Sequence, residues 1–331
     1  MTLPFDKHPP IESPALAPAQ DEPARTEAEV TIGLINNMPD SALKATERQF
    51  KRLLETVAGT TRIRFHCFSL PSVVRSSSAR DHIDREYADI ADLDRLGIDG
   101  LIVTGAEPNA AALSDEPFWR DLTELVEWAD TRTRSTIWSC LAAHAAILHL
   151  DGIERRRLGT KCSGVYDCAR VADDWLTRGL PPSVKVSHSR FNEVRESDLA
   201  ARGYEILTRS DAAGVDIFAR QRQSRFVFFQ GHPEYDALSL QREYMRDLAR
   251  FLAGERNDYP AVPTGYFDAA TEIWLKRFEQ RAVAEREPTL AAELPGLTLR
   301  SDIAAGLAAR IIFRNWLGFL RQGANETLPA R

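Results

Sequence analysis

Residues Ser135 to Leu150 read S-T-I-W-S-C-L-A-A-H-A-A-I-L-H-L, and this stretch decides the fold. Its β-branched and aromatic start predicts a strand over Ser135 to Ser139, and the alanine-rich run beyond Cys140 has high helix propensity. Cys140 therefore stands where an apolar strand meets a helix. Outward from here the pattern repeats. On the N-terminal side, G-L-I-V-T-G (Gly100 to Gly105) predicts a buried strand, followed by a helix from about Glu116 to Thr131. Earlier still, E-V-T-I-G-L-I-N-N-M-P ends a β-branched run in Asn36, Asn37 and Pro39, the punctuation of a strand's carboxyl end. A helix over Thr46 to Thr56, with Phe50, Leu53 and Leu54 at helical spacing, then leads to the alternating strand R-I-R-F-H-C-F-S-L. Strands alternating with helices predict an α/β fold, a mostly parallel sheet covered by helices on both faces. Beyond Gly152 the strand signals V-K-V-S-H-S-R, Y-E-I-L-T-R, G-V-D-I-F-A and R-F-V-F-F-Q-G-H-P-E-Y are shorter and admit antiparallel or edge strands. Leu238 to Ala253 reads as an amphipathic helix, Tyr259 to Gly265 as a looser segment, and Ala304 to Arg321 as a closing helix.

Composition narrows the class. The chain has 331 residues, 44% hydrophobic and 27% charged, enough for a sizeable core and unlike a disordered or collagen-like protein. Its 42 basic and 48 acidic residues give a net charge of −6, which argues against nucleic acid or an anionic membrane as partner. Cys67, Cys140, Cys162 and Cys168 are too few for a disulfide scaffold and form no C-x-x-C pair, so free thiols in a reducing cytoplasm fit best. No secretory h-region and no membrane-length apolar stretch is present. Residues 1–28, rich in Pro, Ala and acidic side chains, read as a disordered tail; 29–322 read as a single α/β domain and 323–331 as a C-terminal tail.

Cys140 is the candidate nucleophile, because free N–H groups and the dipole at a helix N-terminus favour a thiolate and can hold a developing oxyanion. The competing reading is a cysteine that fills the core. A base is needed to separate them, and His232 in F-F-Q-G-H-P-E-Y-D is the best placed of the seven histidines, at the end of a hydrophobic strand. Glu234, two residues on, lies on the same side of an extended backbone and can hold the imidazole in one tautomer. A surface Gly-His-Pro turn is the alternative there. His144 is a rival base four residues after Cys140, but a ring on the same helix leaves little room for substrate, and a supporting role fits it better. His66 and His149 read as structural.

At these residues the sequence resembles the homoserine O-acyltransferases of the homoserine O-succinyltransferase type, which share a fold with the class I glutamine amidotransferases. The resemblance is carried in order by N-N-M-P with T-E-R-Q, D-G-L-I-V-T-G-A, W-S-C-L-A-A-H-A-A, T-K-C-S-G-V-Y, S-H-S-R-F, G-H-P-E-Y-D, R-E-Y-M-R-D and F-R-N-W-L, over roughly residues 31 to 320. It implies that Cys140 carries the acyl thioester, that His232 is the general base and that Glu234 is its partner. It further implies substrate binding by Lys161, Ser189 and Arg246, the last meeting the acceptor's carboxylate. Asn109 falls where the family selects its acyl donor; an amide there does not repel a second carboxylate and points to succinyl-CoA. In such a fold the backbone N–H groups of Leu141 and of the Asn36 to Asn37 turn are the expected oxyanion donors. Leu141, His144 and Thr160 stand where the family usually has Trp, Gln and Glu.

The chemistry implied is transfer of an acyl group from acyl-CoA to the hydroxyl of L-homoserine, a step of methionine biosynthesis. Transfer of acetyl to homoserine or serine, an amidotransferase-like cysteine hydrolase, and a non-catalytic binding protein on the same scaffold are the alternatives. With neither zinc-ligand spacing nor a Walker-type loop, no metal and no bound cofactor is expected, acyl-CoA serving as co-substrate. The partners are small molecules, and a homodimer goes with the resemblance.

Overall fold

The computed structural model describes residues 29–106, 108–294, 296–301 and 306–323, so the expected tails lie outside the described residues, apart from Gly323, which ends the last helix. The first half alternates: β1 (Glu29–Ile35), α1 (Asp40–Val57), β2 (Arg62–Phe68), α2 (Ser77–Glu86), α3 (Leu93–Leu96), β3 (Gly100–Val103), α4 (Trp119–Arg132), β4 (Ser135–Ser139) and α5 (Leu141–Asp151). Then come β5 (Arg156–Arg170), β6 (Ser183–Glu193), α6 (Glu196–Ala201), β7 (Glu205–Ser210), β8 (Gly214–Gln221) and β9 (Arg225–Phe229). The chain closes with α7 (Ser239–Leu252), α8 (Ala269–Glu285) and α9 (Leu307–Gly323).

These strands form one nine-stranded sheet in the order β2-β1-β3-β4-β9-β8-β7-β5-β6. The five strands from β2 to β9 are parallel neighbours, and every pairing beyond β9 is antiparallel. The central strands β3, β4 and β9 are buried along their whole length, as strands covered on both faces must be. Their side chains divide with period two. Leu101, Val103, Trp138, Phe226 and Phe228 pack with α4 and α5 on one face, while Ile102, Ile137, Val227 and Phe229 pack with α1 and α9 on the other. Each such side chain contributes about 1.5–3 kcal/mol by leaving water. α7 and α8 form a smaller apolar cluster through Leu240, Tyr244, Leu248, Leu275 and Phe278.

Several boundaries differ from the sequence reading. α1 begins at Asp40 rather than Thr46, directly after Pro39, and its buried Leu43 and Thr46 extend the apolar stripe by a turn. α4 begins at Trp119 rather than Glu116, because the Glu116 carboxylate is turned back to accept the N–H groups of Asn109 and Ala110. The expected strands past Gly152 are present, and all but β9 of them lie in the antiparallel half. No helix of the described residues is long and apolar enough to cross a membrane.

Candidate active site

Two adjacent parallel strands build the centre. β4 pairs with β9 with Ser139 opposite Phe229, so the residues leaving their carboxyl ends, Cys140 and Gln230 to Glu234, emerge side by side. The Cys140 N–H donates to the Phe229 carbonyl at 2.7 Å, closing the junction. Cys140 sits at φ 51°, ψ −112°, one of two non-glycine residues with positive φ among the described residues. Such a conformation costs about 1–3 kcal/mol and is held by its surroundings; it turns the thiol out of the sheet at the first turn of α5.

His232 is brought to the thiol by its own backbone, whose N–H donates to the Ser187 carbonyl at 2.9 Å. Its Nδ1 lies 2.9 Å from Glu234 Oε1, Tyr235 stacks on it with centroids 4.2 Å apart, and the Cys140 thiol is near enough to act on its charge. With Nδ1 on the carboxylate, Nε2 is the ring nitrogen left for the sulfur. Burial alone would lower the imidazole pKa, yet the Glu234 charge and hydrogen bond, with the Cys140 thiol nearby, hold it well above its ordinary value. The structure thus brings Cys140, His232 and Glu234 to one place.

Beneath this loop lies a buried group that sequence reasoning missed. A side chain at Gly231 would come within 2.7 Å of Asp216 Oδ1, so the base loop rests on Asp216. Asp216 accepts from Thr208 Oγ1 at 2.8 Å, and His188 Nε2 lies 3.5 Å from Oδ1. Burial pushes the Asp216 carboxyl up to about 6 and the His188 imidazole well below its usual range. With Cys168 they form the sole group among the described residues with metal-ligand chemistry, all fully buried.

His144, the rival base, faces away. Gln230 donates from Nε2 to the Val215 carbonyl at 2.7 Å, which orients its Oε1 to accept from the Val194 N–H and from His144 Nε2, each at 3.0 Å. Buried there, the imidazole falls to about 4 and is neutral.

Lys161, Ser189 and Arg246 also come together, from β5, β6 and α7. Their meeting point is a pair of acids the sequence reading did not select. Glu243 accepts from the Ser189 hydroxyl on one oxygen and from the Tyr235 hydroxyl on the other, with Lys161 Nζ 3.5 Å away. Asp247 takes Lys161 at 3.2 Å, Arg246 at 3.0 Å and Arg256 at 3.6 Å. Burial pushes both carboxyls up, but the Lys161 charge, aided by His232 at Glu243 and by Arg246 at Asp247, holds both below their usual range. Tyr235 spans the two clusters, stacked on His232 and bonded to Glu243. Both acids lie within R-E-Y-M-R-D, one and five residues after Arg242, where by sequence alone they read as surface charges.

The oxyanion expectation needs a correction. The Asn36 N–H donates to the Phe68 carbonyl at 2.8 Å and the Asn37 N–H to Thr104 Oγ1 at 2.9 Å, so neither is available. These donors instead brace the ends of neighbouring strands. Leu141, first residue of α5, has an N–H with no carbonyl a turn earlier in the helix to take it. A Cβ at Gly105 would lie 3.1 Å from that nitrogen, so glycine lets the backbone leaving β3 pass close to it. Asn109, four residues on, lines a cavity of about 320 Å³ with Asn37, Ala106 and Glu116.

Known proteins show which family the chain resembles. The sequence profile of the homoserine O-succinyltransferase family matches residues 10–325. A homoserine O-succinyltransferase of Bradyrhizobium japonicum is 65% identical over 325 residues, 98% of this chain and 100% of its own. One from Rhodopseudomonas palustris is 59% identical, over 96% of this chain and 98% of its own. A solved glutamine amido transferase from Methylobacillus flagellatus superposes with a TM-score of 0.50 over 89% of this chain and 96% of its own, at 15% identity, a likeness of fold alone.

Proposed function

This chain belongs to the homoserine O-succinyltransferase family, and we propose that it carries the succinyl group from succinyl-CoA to homoserine on Cys140, with His232 moving the protons and Glu234 holding His232. The observation that carries this reading is a His232 imidazole held at Nδ1 by Glu234 Oε1 at 2.9 Å with the Cys140 thiol close enough to act on its charge. In the first step the sulfur attacks the thioester carbonyl, the carbon–sulfur bond to CoA breaks, and the leaving thiolate takes a proton from the imidazolium. In the second the homoserine hydroxyl gives its proton to His232 Nε2, its oxygen attacks the new thioester, and the Cys140 sulfur leaves. Both steps pass through an oxyanion next to the Leu141 N–H. The reaction balances on the chain's own thiol and imidazole with acyl-CoA as co-substrate, and no resident metal or cofactor takes part.

The acceptor is an amino acid with one ammonium and one carboxylate, and the Lys161, Ser189, Glu243, Arg246 and Asp247 cluster offers both signs of charge beside the base. Arg246 faces the carboxylate with the guanidinium edge not used on Asp247, and Glu243 faces the ammonium. Asn109 lies on the acyl side, beside the cavity past Gly105. Homodimerisation and a cytoplasmic location belong to the same reading and are checked by sedimentation and cell fractionation.

Incubation with succinyl-CoA alone, followed by intact-mass measurement, tests the reading. A succinyl adduct on Cys140 that disappears on adding homoserine, with O-succinylhomoserine formed, is the expected result. Steady release of succinate without acceptor would mark a hydrolase instead, and no adduct would remove the covalent mechanism.

A further inference from the structure

Tyr235 touches both the proposed base and the acceptor cluster, and the sequence before it shows how. His232, Pro233, Glu234 and Tyr235 form a turn in which the Tyr235 N–H reaches the His232 carbonyl at 3.4 Å, with Pro233 at the position whose φ a proline presets. The turn places two side chains on the imidazole. Glu234 comes to Nδ1 at 2.9 Å, and the Tyr235 ring folds back over the imidazole face, with centroids 4.2 Å apart and planes inclined by 16°. The base is therefore held at one edge by a carboxylate and on one face by an aromatic ring, whose π-electrons favour the protonated imidazole.

The far end of the same ring is fixed by a different element. Its hydroxyl donates to Glu243 Oε1 on α7, while Ser189 donates to Oε2 and Lys161 Nζ lies 3.5 Å away. Burial and the Glu243 charge push the phenol's pKa well above its ordinary value, so the hydroxyl keeps its proton and stays a donor. A carboxylate has about four lone-pair sites, so the two hydroxyls leave Glu243 able to accept from an ammonium as well. An ammonium drawing on Glu243 then also sets where the Tyr235 hydroxyl must lie. The ring between is rigid and its backbone is closed into the turn, so a displacement at the hydroxyl is passed to the imidazole stacked on it.

We propose that Tyr235 is a positioning residue that couples acceptor binding at Glu243 to the placement of the His232 imidazole, so that the amino acid to be deprotonated helps to set its own base; this rests on the acyl-enzyme reading above. The stack serves both half-reactions. The hydroxyl serves the second, because only there is Glu243 engaged by the acceptor. Substitution separates the two contributions: phenylalanine keeps the stack without the hydroxyl, and leucine keeps neither.

The experiment compares wild-type protein, Tyr235→Phe and Tyr235→Leu, with thermal melts to establish folding. Three rates are followed by intact mass: formation of the Cys140 acyl-enzyme from succinyl-CoA, its discharge by homoserine over a range of concentrations, and its discharge by hydroxylamine. In the last the hydroxylamine nitrogen attacks the thioester carbonyl, the Cys140 sulfur leaves, and a hydroxamate forms; neutral hydroxylamine has no ammonium or carboxylate with which to engage the acceptor cluster. In Tyr235→Phe, acylation and hydroxylamine discharge should stay within about threefold of wild type while kcat for discharge by homoserine falls roughly tenfold, the scale of one hydrogen bond to a charged group. Tyr235→Leu should slow all three. A change in Tyr235→Phe confined to KM for homoserine would mean that the hydroxyl only shapes the acceptor site, and equal losses in all three rates would mean general packing; either overturns the coupling, as does a phenylalanine variant that matches wild type. A folded leucine variant no slower than the phenylalanine one would remove the stack as the connection; should leucine fail the melt, the phenylalanine rates decide alone. Wild-type protein that forms no acyl-enzyme would overturn the mechanism itself and this assignment with it.

Discussion

The two halves of the sheet differ in build and, in the proposed reaction, in the work they do. The parallel half, β2 to β9, ends its central strands in the groups proposed to react: Cys140 after β4 and His232 after β9. The antiparallel half contributes, with α7, the groups proposed to hold substrate: Lys161 on β5, Ser189 on β6, then Glu243, Arg246 and Asp247. Adjacent parallel strands put their carboxyl ends at one edge, so two residues far apart in sequence meet without any loop having to carry them. The antiparallel ladder instead exposes alternating side chains along its length, and β5 is buried at only Ser163, Gly164 and Cys168. Such a surface can vary its recognition groups while the reacting groups stay fixed.

The sharpest way to break this division is Cys140→Ala. Alanine has no nucleophile but fits a helix start, so turnover should fall by a factor on the order of 10⁴ or more while the melting temperature stays close to that of wild-type protein. Released CoA thiol is the readout, and activity within tenfold of wild type would mean that the parallel half does not carry the chemistry. Glu234→Gln should come next. The amide can still accept from Nδ1 but brings no charge, so a loss of about 10² to 10⁴ is expected. The imidazolium of His232, held above its ordinary range mainly by the Glu234 charge against burial, should then lose its proton at lower pH, which an NMR titration of the ring would follow. An unmoved titration would show that Glu234 is only a packing neighbour.

Arg246→Ala probes the other half. Asp247 keeps Lys161 and Arg256, so the fold should hold. Formation of the succinyl-enzyme should be nearly unchanged while its discharge by homoserine slows about tenfold to hundredfold, the worth of roughly 1.5–3 kcal/mol for a charge-assisted contact. Equal effects on both half-reactions would erase the distinction between a reacting half and a recognising half.

What the sequence disclosed follows the same line. The parallel strands were legible because burial on both faces demands continuous apolar runs, as in G-L-I-V and R-F-V-F-F, and β4 is bounded as read. β5 was not, since R-R-R-L-G-T-K-C-S has neither alternation nor an apolar run: its start lies on the exposed rim of the sheet with a register shift between Arg157 and Cys162. α2 buries only Ala79 and so carries no helical stripe, whereas α8 buries Thr271, Leu275, Phe278 and Ala282 at a spacing that could have been read. At the site, Cys140, His232 and Glu234 were legible because chemistry limits their residue types. Glu243, Asp247 and Asp216 were not, because a buried carboxylate reads as a surface charge until its partners are in place, and the N–H groups of Asn36 and Asn37 looked free until Phe68 and Thr104 were seen to take them.

The smallest effect on turnover is expected at His144, which belongs to the parallel half but not to its chemistry. Its Nε2 donates to Gln230, and burial lowers its pKa to about 4, so the folded protein holds it neutral. The sign follows from proton counting. As pH falls below about 6.5 the unfolded chain takes up a proton at this position while the folded chain refuses it until about pH 4, so the unfolded state binds more protons and stability declines through that window. The full shift corresponds to at most about 3 kcal/mol. His144→Gln keeps an amide donor for Gln230 Oε1 and cannot titrate, so its stability should decline less between pH 6.5 and 4 than that of wild-type protein. His188, also depressed, retains its own share of the slope in both. Denaturant melts at several pH values measure the difference. Parallel curves would mean that His144 is not held neutral, and a collapse of turnover in the variant at matched stability would return His144 to contention as the base.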